Sequence, residues 1–115
     1  MRTNDPSFDY LLHLNGQTFF LDERGRYWVK FVVHRVPKTK ARPHGVSYSL
    51  TLHGASGERL LGFDNAHPVK GSGDAHADHR HLGPRIQPYA YRDAASLIED
   101  FWSAVDRVLK EGGVV

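Results

Sequence analysis

The chain of 115 residues contains no cysteine. That single absence removes disulfides, thiol nucleophiles and thiolate metal sites together. No apolar run approaches the roughly 20 residues that a membrane-spanning helix needs, so no membrane segment is expected. The opening residues MRTNDPSFDY lack the apolar stretch of a signal peptide, which makes the cytoplasm the expected compartment. Acidic residues are missing from a whole section. From Arg24 to Gly45 the charged residues are Arg24, Arg26, Lys30, Arg35, Lys38, Lys40 and Arg42, all basic. Large apolar residues are scarce from Gly62 to Arg85, GFDNAHPVKGSGDAHADHRHLGPR, which a packed core does not explain. Such a segment reads as a functional loop or a disordered one.

What is present is ordinary for a soluble domain: 40% apolar residues and 24% charged. The length suits one domain over residues 1–115, with one core and no room for a second. The formal charge of +2 hides an asymmetry. The basic section is answered after Asp93 by Glu99, Asp100, Asp106 and Glu111 against Arg107 and Lys110. An anionic partner for one face is one reading; two solvated faces of opposite sign is the plainer one.

Residues 1–9 read as a loose lead-in around Pro6. Leu11 to Leu14 followed by the Asn15-Gly16 turn suggests a short hairpin with Gln17 to Leu21, or else a helical turn over 8–14. Arg26 to Val36, RYWVKFVVHRV, predicts a central strand partly covered on both sides, because apolar groups fall on both parities. Val46 to His53 alternates cleanly and predicts a half-buried antiparallel strand. Glu58 to Asp64 is its partner, and Ile86 to Tyr91 reads as the last strand. Asp93 then caps a helix whose apolar stripe runs Ala94, Leu97, Ile98, Phe101, Trp102, Val105, Val108 and Leu109. The expected fold is α+β: an antiparallel sheet of about five strands with a C-terminal helix across one face.

The strings RYWVK, RPHGVSYSLTLHGASGERLLGFDNAHPV, DHRH and YRDAASLIEDFWSAVDRVL resemble the TumE family of bacterial toxins from toxin–antitoxin modules. The resemblance runs from about Gly16 to Glu111. It implies a small cytoplasmic toxin neutralised by a DNA-binding antitoxin of helix-turn-helix type. It carries over no catalytic residue.

The chemistry must therefore be argued from the residues. His67, His76, His79 and His81 are half of the chain's eight histidines. Imidazole serves near neutrality as general acid, general base or metal ligand. A metal-independent ribonuclease needs an imidazole to take the 2′-hydroxyl proton, another to protonate the leaving oxygen, and a cation for the transition state. His79 and His81, with His67 in the same loop and Arg80, Lys30 or Arg42 as the cation, fill that list. RNA is then the expected partner. No cofactor is assigned; zinc or manganese would draw on Asp64, His67, His79 and His81. The alternatives are solvated histidines without a shared role, a metal-dependent hydrolase, and a non-enzymatic binding partner of the antitoxin. Asp64 and Asn65 are expected to shape the loop that leaves the strand, with a mobile tip over 70–75. Arg35, Lys38, Lys40 and Arg42, stiffened by Pro37 and Pro43 and near Tyr27, Trp28 and Tyr48, are the candidate nucleic-acid contacts.

Overall fold

The computed structural model describes residues 6–40, 42–66 and 78–112. His67, His76 and the tip expected over 70–75 lie outside the described residues. The elements run α1 (Pro6–His13), β1 (Thr18–Phe20), β2 (Trp28–Arg35), β3 (Val46–His53), β4 (Arg59–Asp64), β5 (His79–Leu82), β6 (Arg85–Pro88) and α2 (Ala94–Glu111). The six strands form one antiparallel sheet in chain order. The α+β class stands, with six strands in place of about five.

The extra strand is β5, HRHL, inside the segment expected to be a loop. It joins β6 through Gly83-Pro84, with Gly83 at φ 58°. A glycine in that region at the first central position makes a tight two-residue hairpin turn. The N-terminus also departs from expectation. Pro6 is not a lead-in residue but the first residue of α1, a position where its missing N–H costs no intrahelical bond. The hairpin alternative gives way to the helical one, and Asn15 uses its side chain to accept from the Val33 N–H at 2.9 Å.

Strand β3 buries Val46, Tyr48, Leu50 and Leu52 and turns Ser47, Ser49, Thr51 and His53 the other way. The neighbouring β2 does the same with Val29, Phe31 and Val33 inward. Lys30, Val32 and His34 are exposed, so β2 is covered on one face only, not on both. Helix α2 lies against the inward face, with Phe101 edge-on to Phe31 at 5.5 Å and to Phe63 at 5.8 Å. Asp93 caps α2, accepting the Ser96 N–H at 2.7 Å. Helix α1 packs on β2 and α2 and adds Leu11 to the same core. Both helices therefore cover one face of the sheet, and among the described residues no helix lies on the other, the open face. Among the described residues, no helix is long and apolar enough to cross a membrane.

Candidate functional site

Strand pairing places three functional groups on the open face. Asp64 pairs with Ser49 on one side and His79 on the other, while Gly62 pairs with Thr51 and His81. Side chains alternate along a strand, so Asp64, His79 and His81 share the side of Ser49 and Thr51, away from α2. His79 Nε2 lies 3.2 Å from Asp64 Oδ1, and His81 Nε2 lies 3.5 Å from Asp64 Oδ2. The rings stand edge-to-face with centroids 4.8 Å apart. Asp64 is 5% exposed and His79 3%. The His81 side chain keeps 13%, which makes it the member of the group that meets solvent.

This is a buried carboxylate held between two imidazoles. Burial and the nearby Arg59 hold the His81 imidazole below its usual pKa, against the pull of Asp64. Despite the 3.2 Å approach of His79, Asp64 Oδ1 has no hydrogen bond of good geometry among the described residues. One ligand atom from each of Asp64, His79 and His81 fits within 4.8 Å of the others. Those are the residues that can hold a metal ion. His67, the fourth member expected from the sequence, lies outside the described residues.

The alternation separates Arg80 from its two neighbours. It faces the α2 side, donates from Nε to Gln87 Oε1 at 3.0 Å, and lines a groove of about 350 Å³ with Leu61, Leu82 and Tyr89. Arg80 is therefore not the cation of the histidine pair. Arg59 is the cation near His81, and the sequence reasoning missed it. The register slips by one residue between Leu52 and His53, so β4 carries an extra residue and Arg59 pairs with His53. A bulge of this kind re-aims a side chain. Arg59 is carried to the open face, where its Cδ would be 3.3 Å from a Cβ placed on Gly62. Glycine at 62 leaves the space that the guanidinium arm crosses. Lys30 is on the same row, Lys30–Thr51–Gly62–His81, three strands from His81. That is roughly 14 Å between backbones.

The basic loop divides. Arg42 donates from Nη2 to the Ala66 carbonyl at 2.8 Å, bracing the exit of β4. Arg35 lies over the Phe8 ring at 4.7 Å and 3.9 Å from Asp9, both on α1. Lys38 and Lys40 are exposed. Tyr48 is fully buried and donates to Asp78 Oδ2 at 2.7 Å, so it offers no ring for stacking. Trp28 does offer one. It belongs to the open face, where it stacks on His53 at 5.4 Å and 14° and neighbours the exposed Phe20. Asn65 turns into the fold: its Oδ1 accepts the Tyr48 N–H at 2.9 Å and its Nδ2 donates to the Val46 carbonyl at 2.8 Å.

The model of one family, Toxin TumE, matches the chain over residues 10–109. No curated protein and no solved structure matches it.

Proposed function

The chain belongs to the TumE toxin family, and we propose that it acts on nucleic acid, as a ribonuclease that lays a single strand across the open face of its sheet. The observation that carries this reading is the Asp64–His79–His81 group on the same face as Arg59, Lys30 and the Trp28–His53 pair. Cations with an adjacent stacking surface are what a single strand needs: phosphate contacts along the backbone and a flat ring for a base. From His53 to Ser49, the neighbour of Asp64, is four residues along β3. At about 3.3 Å per residue, that separates the stacking surface from the carboxylate by about 13 Å.

Within this reading His81 is the group that meets the scissile phosphodiester, and Arg59 stabilises the charge that develops there. His79 serves from behind. At 3% exposure it does not stand on the far side of a bound phosphate, so the pair does not divide acid and base roles as two solvent-facing imidazoles would. The partner that neutralises such a toxin is an antitoxin, here of the DNA-binding helix-turn-helix type. The cytoplasm is the compartment in which both would meet RNA.

The test is incubation of the purified protein with end-labelled RNA, beside His81→Ala. Wild type should cleave, and His81→Ala should lose about 10²–10⁴-fold of the rate while keeping its circular dichroism spectrum. Growth arrest with intact RNA, or undiminished cleavage by His81→Ala, would sink the proposal. The first outcome would point to a binding protein that blocks its target without cutting it.

A further inference from the structure

We propose that Asp64, His79 and His81 form a binding site for one divalent transition-metal ion of the zinc and cobalt class. Binding stands independently of RNA cleavage; only the use of the ion in that chemistry rests on the function proposed above.

The donor set is the first argument. Two imidazoles and one carboxylate suit zinc, cobalt or iron(II), whereas magnesium and calcium take oxygen donors. Distances are the second. Metal bonds of about 2.0–2.1 Å at tetrahedral angles place neighbouring ligand atoms about 3.3–3.4 Å apart. The imidazole nitrogens approach different carboxylate oxygens, His79 Nε2 at 3.2 Å from Oδ1 and His81 Nε2 at 3.5 Å from Oδ2. One donor atom from each residue fits within 4.8 Å of the others, so a bound ion draws the three together. Rigidity is the third. Asp64 and His79 are direct partners across β4 and β5, and His81 is one repeat further along the same strand. The sheet therefore sets the three positions, so a ligand ion finds them already assembled.

Burial makes the strongest case. An ionised carboxylate taken out of water needs a compensating charge. Asp64 is 5% exposed, and its ion-pair partners among the described residues are the two histidines. Its Oδ1 has no hydrogen bond among them. A divalent ion between the three side chains supplies the charge and occupies that lone pair. Three protein ligands also leave a fourth position for water or substrate, the mark of a reactive site as opposed to a closed structural one. The exposed edge of His81 is where that position opens.

Protein dialysed against a chelator would be titrated with cobalt(II) and followed by its visible absorption and by thermal unfolding. Wild type should bind about one equivalent with a rise in Tm. His81→Ala should weaken binding by at least the about 10–100-fold that loss of outer support alone costs a metal site, and Asp64→Asn likewise. His34→Ala, on the same face outside the group, should bind as wild type. If Asp64→Asn does not fold, the comparison of wild type with His81→Ala still decides. Uptake by wild type no greater than by His81→Ala, with Tm unmoved, would overturn the site. Metal binding without RNA cleavage would uphold the site while removing the ribonuclease reading. Cleavage that survives chelation in protein holding no metal would uphold the ribonuclease reading and remove the ion from its chemistry, leaving the cobalt titration to decide the site.

Discussion

Asp64 and Asn65 are adjacent in sequence and face opposite ways, and that reversal divides their work. Asp64 ends on the open face between two imidazoles, while the Asn65 amide points inward and mimics one more strand residue for β3. Asn65 is 4% exposed, so replacing it with alanine strands the Tyr48 N–H and the Val46 carbonyl in a dry place. Each buried group left without a partner costs about 1–3 kcal/mol. Asn65→Ala should therefore destabilise the protein by about 2–6 kcal/mol, read from urea denaturation, and a loss under about 0.5 kcal/mol would show that water replaces the amide. The same parity rule explains what the sequence conceals around His79. Read as a loop, His79, Arg80 and His81 look like three side chains on one site. As strand β5, the middle one must point away, and Arg80 does. Arg59 was hidden for a different reason: the bulge that turns it to the open face is a property of how β3 and β4 pair, not of either strand alone.

Elements with a strong period were legible in advance. The alternation of β3 and the apolar stripe of α2 each need a single buried face, and each sits where its period indicates. Strand β5 has four residues, two of them histidines, too few and too polar for periodicity to register. Its one signal was the Gly83-Pro84 pair, a turn dipeptide that implies a strand on either side. Pro6 misled because proline breaks a helix interior yet suits its first turn. The start of α2 is set by Asp93, and it brings a pH dependence. The Ser96 N–H hydrogen bond holds the Asp93 carboxyl below its ordinary 3.8. A carboxyl lowered in the folded state adds stability that is fully present above the unfolded value and is lost as pH falls through the folded one. An asparagine in its place would still cap the helix but would not titrate. The Tm advantage of wild type over Asp93→Asn should therefore be present at pH 7 and shrink below about pH 4. An advantage that stays constant down to about pH 2.5 would mean that Asp93 contributes nothing through its charge.

At the scale of the molecule, one sheet divides structure from proposed function. One face carries both helices and the aromatic core of Phe31, Phe63 and Phe101, and the other carries Lys30, Arg59, Trp28, His53 and the Asp64 group. Parity along β3 was readable from the sequence, but the rows across strands were not, because pairing register is set by turns and by the bulge. The row Lys30–Thr51–Gly62–His81 exists only once the four strands β2 to β5 are aligned. If that face holds a nucleic-acid strand, its affinity for RNA must fall with salt, since phosphate contacts release counterions. Lys30→Ala and Arg59→Ala should each weaken binding similarly for all sequences and lower the slope of log affinity against log salt by about 0.7–1. Trp28→Ala should instead remove about 1–3 kcal/mol of stacking and leave that slope unchanged. Lys38→Ala with Lys40→Ala separates the basic loop from the face: a larger loss of slope there than from Lys30 and Arg59 would move the strand to the β2–β3 connection. The measurement is fluorescence anisotropy with a short single-stranded RNA at several ionic strengths. Because Lys30 and Arg59 are exposed, their removal should leave Tm within a degree or two of wild type, so a loss of affinity reads the surface and not the fold. Affinity indifferent to salt, or equal slopes in all variants, would take the nucleic acid off this face.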